Sequence, residues 1–132
     1  MSERECIFCR IVSGTIPSVK LYEDEQCVVI LDKFPATRGQ ALVLPKIHED
    51  YIMKIEDSLY SHLFHIAKIT AHAIDRALKT KRTCLIVEGF EIPHVHIRLH
   101  PCYESVLKTK GVEAQNDELK EVAALIRGDN KG

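Results

Sequence analysis

The stretch Pro93-His94-Val95-His96-Ile97-Arg98-Leu99-His100-Pro101 constrains this chain more than any other segment. Side chains alternate across a β-strand that rises about 3.3 Å per residue. Val95, Ile97 and Leu99 therefore share one face, which suits a core. His94, His96, Arg98 and His100 share the other, spaced about 6–7 Å apart. The flanking prolines mark where such a strand starts and stops. Basic side chains in one row repel each other when charged, so folding alone gives no reason to assemble them. A nearby phosphate turns that repulsion into binding. A neutral imidazole is also a competent nucleophile near neutral pH. On residue chemistry alone, the row suits either metal binding or phosphate chemistry.

The rest of the chain predicts what surrounds this strand. Cys6 to Val12 reads as a short helical turn closed by Ser13-Gly14, because glycine tolerates positive φ at a helix end. Lys20 to Glu23 and the β-branched run Cys27 to Leu31 read as strands joined by a polar turn. Phe34 to Gly39 reads as a loop, Ala41 to Leu44 as a strand stopped by Pro45, and Lys46 to Met53 as a connector carrying His48. Leu59, Leu63, Ile66, Thr70, Ile74 and Ala77 recur at helical spacing and predict one long helix capped by Asp57 or Ser58. His62, His65 and His72 fall on its polar face and read as solvated. Thr83 to Val87 predicts another strand. Asn116 is expected to cap a last helix whose apolar stripe is Leu119, Val122, Ala123 and Ile126, ended by Gly128. Strands that cluster around one long helix favour an antiparallel α+β fold over a doubly wound one. The 132 residues predict one domain spanning 1–132.

Charge and cysteine usage exclude some functions. Eighteen Lys and Arg against nineteen Asp and Glu give a net charge of -1, which lacks the cationic excess of a general nucleic-acid binder. No apolar run approaches the roughly 20 residues that span a bilayer, and Met1 to Arg10 is too polar for a signal peptide. A cytoplasmic protein is the resulting expectation. The five cysteines cannot all pair within one chain. Thiols near histidines in such a chain suggest metal or catalysis before disulfides. The Cys6-Ile7-Phe8-Cys9 pair reads as a redox pair, half a zinc site or two small core residues, and spacing does not choose among them. Cys27, Cys84 and Cys102 read as ordinary buried or half-buried thiols.

The segment around His94 resembles the histidine triad signature, with His94 at its first position, His96 at the second and Arg98 at the third, the register set by Pro101. Ile7-Phe8 with Ile11, the Leu31-Asp32 strand end, Leu42-Val43-Leu44-Pro45-Lys46 and His48 extend the resemblance over most of the chain. It implies a nucleotide phosphoramidase or nucleotidyl hydrolase acting on a purine nucleotide. His96 is implied as the nucleophile on the α-phosphorus, Arg98 as a catalytic cation and Asp32 as acceptor from the ribose hydroxyls. Phe8, Ile11, Ile30 and Lys33 match base-pocket positions, and His100 extends the same basic row. The zinc-bearing members imply a structural zinc on Cys6, Cys9, His48 and His94. A homodimer built on the long helix and a sheet edge is also implied.

The chain departs from that pattern in three places. Arg98 stands where the third histidine is usual; it carries a permanent charge suited to phosphate and relays no proton. The loop Gly89-Phe90-Glu91-Ile92-Pro93 is short and lacks the usual phosphate-binding residues. Gly39-Gln40 replaces the usual Gly-His pair. Two rival readings follow. One is a nucleotide- and zinc-binding protein with weak or no turnover. The other is a purely structural zinc domain, against which Asp32 and its apolar pocket argue.

Overall fold

Two apolar runs form the centre of the sheet in the computed structural model, which describes residues 5–129. The elements run α1 (Ile7–Ser13), β1 (Lys20–Glu23), β2 (Cys27–Leu31), β3 (Ala41–Pro45), α2 (Asp57–Leu78), β4 (Arg82–Ile86), β5 (Ile97–Cys102) and α3 (Asn116–Arg127). The five strands make one antiparallel sheet in the order β1-β2-β3-β5-β4. The fold is α+β, as the clustering of strands predicts.

β2 and β3 are buried along their whole length because helices cover both sheet faces. Their register sorts the side chains. Val29 opposite Val43 and Leu31 opposite Ala41 face α2 and α3, in a core with Leu63, Ile66, Ile74, Val122 and Ile126. Val28 opposite Leu44 and Ile30 opposite Leu42 face α1, in a smaller cluster with Cys6, Phe8 and Ile11. Each fully buried Leu or Ile contributes about 1.5–3 kcal/mol. β5 continues the division: Ile97 and Leu99 enter the larger core, while Arg98, paired with Leu42, lies on the α1 side.

Several boundaries differ from the sequence expectation. β5 starts at Ile97 and not at Pro93. The His94 N–H donates to Ile92 O and the Val95 N–H to Glu49 O, so these donors serve loops and not a neighbouring strand. β5 also runs through Pro101 to Cys102. Past Leu99 only β4 flanks it, and a proline is tolerated where one side of the ladder is open. β3 likewise includes Pro45, and β4 spans Arg82–Ile86. The N-cap of α2 is Glu56, and that of α3 is Gln115. Neither makes a side-chain capping bond, so tertiary contacts and not cap chemistry set these starts.

His62 is another correction. It is half-buried, and its Nε2 lies 2.7 Å from Asp24 Oδ2, tying α2 to the β1–β2 turn. Asp24 Oδ1 accepts the Gln26 and Cys27 N–H groups, and Oδ2 also accepts the Tyr22 hydroxyl. Burial pushes the Asp24 carboxyl up, but His62 and these donors outweigh it and hold it well below the usual carboxylate range. A depressed carboxylate stabilises the fold fully above its unfolded value, and the contribution is lost as pH falls through the folded value. Asp24→Asn is therefore expected to cost about 1–2 kcal/mol near neutral pH. The gap to wild type should shrink below roughly pH 4. Urea titrations at stepped pH measure it; a gap that persists unchanged into acid contradicts the linkage.

Candidate functional site

α1 carries the first two residues of the site. Cys6 is its N-cap, with Sγ accepting the Cys9 N–H at 3.4 Å, and Gly14 ends it in the left-handed conformation. Both thiols lie against imidazoles. Cys6 Sγ is 3.4 Å and Cys9 Sγ 3.5 Å from His94 Nδ1, and Cys9 Sγ is 3.1 Å from His48 Nδ1. His48 follows β3, and His94 lies just before β5. The four side chains place one ligand atom each within 4.8 Å of all the others. His94 Nε2 is 3.0 Å from Pro45 O. A carbonyl only accepts, so Nε2 carries the proton and the Nδ1 lone pair faces the sulfurs. Such outer hydrogen bonds orient metal-binding imidazoles. A tetrahedral ion with bonds of about 2.3 Å to sulfur and 2.0–2.1 Å to nitrogen sets S···N edges near 3.5 Å. The donor set and its spacing fit that geometry.

His96 stands two residues further on and is 6% exposed. Its Nδ1 is 2.7 Å from His94 O, which must accept, so Nδ1 is the protonated nitrogen and Nε2 holds the lone pair. Phe8 packs edge-on against both His94 and His96, with centroids 5.9 and 4.9 Å away. Burial lowers the His96 pKa from the ordinary histidine value; the His94 carbonyl and the Glu88 and Asp32 carboxylates oppose this, and the Arg98 cation adds to it. The imidazole is thus neutral and oriented, the state a nucleophile requires.

His96 borders a cavity of about 920 Å³ together with Phe8, Ile11, Ile30, Asp32, Lys33 and Arg98. Apolar residues make one wall. Asp32 sits where β2 ends, with Oδ1 accepting the Phe34 N–H at 2.9 Å and Oδ2 accepting from Gln40 Nε2 at 2.8 Å. Arg98 Nη2 lies 4.0 Å from Glu88 Oε2, and Arg98 Nε is buried without a hydrogen-bond partner. Lys33, at the rim, is 3.9 Å from Glu113. His100 is different: it is fully buried and is not on the cavity wall. Burial, with the Arg98 charge adding, lowers its pKa, against the opposing pull of the Lys108 main chain.

Sequence reasoning gave Gln40 too small a part. It is 2% exposed, and its Oε1 accepts the Ala36 N–H while its Nε2 holds Asp32. Its position beside Gly39 was the available signal, but its partner lies across a loop. The wall formed by 109–111 was also unforeseen. A side chain on Gly111 would overlap the Phe34 carbonyl oxygen and the Pro35 carbonyl group. Gly111→Ala is expected to push this segment off the cavity and cost about 1–3 kcal/mol. Thermal melts and ligand titration report it; unchanged values in both refute the close approach.

Residues 13–104 match the HIT domain. The chain is 32% identical to the hit protein of Bacillus subtilis, over 92% of this chain and 91% of that one. It is 36% identical to an adenosine 5'-monophosphoramidase of Saccharomyces cerevisiae, over 73% of this chain and 61% of that one. Among solved structures, a zinc-bound histidine triad family protein from Mycobacterium smegmatis matches with a TM-score of 0.83 and 25% identity, covering 96% of this chain and 94% of that one.

Proposed function

Because the chain belongs to the HIT domain family, we propose that it is a nucleotidyl hydrolase that cleaves purine nucleoside phosphoramidates or related adenylates through His96. The observation that carries this reading is one cavity bordered by an oriented neutral imidazole, a guanidinium, a carboxylate and apolar walls. Nucleotide-type relatives such as the yeast phosphoramidase support it.

His96 Nε2 attacks the α-phosphorus, and the bond from phosphorus to the leaving amine breaks with its electron pair going to nitrogen. The amine takes its proton from solvent. Water then attacks the nucleotidyl-histidine, the phosphorus–imidazole bond breaks, and the nucleoside monophosphate leaves with a proton released to solvent. Arg98, in the third triad position, stabilises the equatorial oxygens without relaying a proton. Asp32 accepts the ribose hydroxyls, with Gln40 holding its carboxylate. Phe8, Ile11 and Ile30 enclose the base, and Lys33 lies at the rim. His100, buried away from the cavity, is left out of the nucleotide contacts.

Cys6, Cys9, His48 and His94 would hold a zinc ion. A closed four-ligand site leaves no open position, so zinc would serve as a structural tie between α1 and the residues leading into β5. The zinc-bound relative supports this. The reading also includes a homodimer using α2 and the β4 edge, a cytoplasmic location, and nucleotides, not nucleic acid or membrane, as partners. No helix among the described residues is long and apolar enough to cross a membrane.

The test incubates the protein with adenosine 5'-phosphoramidate and follows release of the monophosphate. Nucleotide binding without release sinks the enzyme reading. Glu88, close enough to compete with phosphate for Arg98, favours the second reading of a binding protein with little turnover. Arg98→Ala is expected to lower kcat/KM roughly 10²-fold by removing a charge-stabilising donor; steady-state kinetics measure it, and an unchanged value removes Arg98 from the machinery.

A further inference from the structure

One proton in the second half of the reaction still needs an acceptor: the one that water gives up as it attacks the nucleotidyl-histidine. Arg98 stays charged and takes no proton, and the His96 lone pair is then bonded to phosphorus. Glu88 stands in position to receive it. It borders the same cavity as His96 and Arg98, and its Oε2 lies 4.0 Å from Arg98 Nη2. We propose that Glu88 is the general base that deprotonates this water. The inference rests on the hydrolase reading and adds the residue that completes its second half.

Strand register brings Glu88 there. Ile86 pairs with Arg98, and Cys84 with His100, in the antiparallel β4–β5 ladder. The ladder ends at Ile86, but the same count carried two residues further sets Glu88 level with His96. Alternation keeps it on the face of Ile86 and Arg98. Gly89 then turns the chain in the left-handed conformation, and the Phe90 N–H donates to Glu88 Oε1. One oxygen is thus fixed, while Oε2 faces Arg98. Their separation of 4.0 Å is too long for a direct hydrogen bond and is a span that one water can bridge. Glu88 is half-buried, and its charge acts on the His96 ring. The other carboxylates on the cavity wall fit the task less well. Both Asp32 oxygens already accept, from the Phe34 N–H and from Gln40 Nε2. Glu91 is exposed.

Substrate binding prepares the base. Once phosphate oxygens occupy Arg98, Glu88 Oε2 is released to accept from water. A water proton passes to Oε2 as the water oxygen bonds to phosphorus. The phosphorus–Nε2 bond breaks, and its electron pair returns to His96. The nucleoside monophosphate leaves, and Glu88 passes its proton to solvent. One water is consumed and nothing is oxidised or reduced. The contact that competes with phosphate in the free protein thus keeps the base within reach of the reaction.

The test uses the full, zinc-replete chain and an adenosine phosphoramidate whose leaving amine is fluorescent. Glu88→Gln keeps the size of the side chain and loses the base. It should still release a burst of about one amine per chain and then turn over about 10²-fold more slowly than wild type. Nucleotidyl-His96 should accumulate in its rapid-quench peptide map. Glu91→Gln should match wild type. A role in merely positioning Arg98 slows the first half as well, so a folded Glu88→Gln with neither burst nor trapped intermediate overturns the proposal. Unchanged turnover in that variant overturns it too. The wild type supplies a measure that needs no variant: its intermediate should hydrolyse more slowly in heavy water, and equal rates in the two solvents overturn the general base. A wild type that binds nucleotide yet forms no nucleotidyl-His96 sinks the hydrolase reading itself. A wild type that forms and hydrolyses it, with Glu88→Gln doing so equally fast, sinks only the Glu88 assignment.

Discussion

His96→Ala is expected to lower turnover of adenosine 5'-phosphoramidate by at least about 10³-fold while nucleotide binding persists. The substitution removes a lone-pair nitrogen whose ring a main-chain hydrogen bond orients at the cavity edge. Asp32, Gln40 and the apolar wall remain, so affinity for a monophosphate should change far less than the rate. Acid quenching of the wild type should trap the nucleotidyl group on the peptide carrying His96, and the variant should show none. The imidazole is buried against Phe8, so the substitution carries a packing cost as well. Calorimetric titration with the monophosphate separates lost chemistry from lost folding. Turnover that survives in His96→Ala would remove this residue as nucleophile. Substrate bound without turnover by both proteins would instead leave the binding-protein reading.

Cys6→Ser should remove about one zinc per chain and lower stability by at least about 3 kcal/mol, a fraction of the ~10–16 kcal/mol that structural zinc supplies in small zinc-dependent folds. Cys6 and Cys9 sit on a helix of only seven residues, too short to hold its place without a tether. Their imidazole partners lie after β3 and before β5. Once the cluster opens, α1 loses its anchor, and Phe8 with it loses its contact on His96. Elemental analysis and a thermal melt read the two effects, and a chelator added to wild type should reproduce the second. Wild-type protein purified under reducing, metal-replete conditions without zinc would refute the assignment. So would a Cys6→Ser variant that keeps its full complement.

Much of the fold was legible because its signals are local. The 3.6-residue stripe from Leu59 to Ala77 predicts α2, and the alternation from Val95 to Leu99 predicts which side chains of β5 enter the core. The misjudged boundaries share one cause. Whether Pro93–His96 joins a ladder depends on where its N–H groups find acceptors, and those are carbonyls of Ile92 and Glu49. His62 read as solvated because its partner, Asp24, lies in a turn outside its own helix. Gln40 read as a minor replacement because its role appears only when the loop brings it onto Asp32.

By itself, the sequence determined the face assignments, the α+β class and the set of chemically capable side chains, since periodicity and residue chemistry are local properties. Only the tertiary structure decided which of them meet. Cys6 and His94 are 88 positions apart, and they come together because β3–β5 pairing brings His48 and His94 to one sheet end where α1 docks. The same pairing separates His100 from the cavity that His96 and Arg98 border, although all three lie in one alternating row. Burial and proximity are sums over contacts from distant segments, and no local pattern encodes that sum.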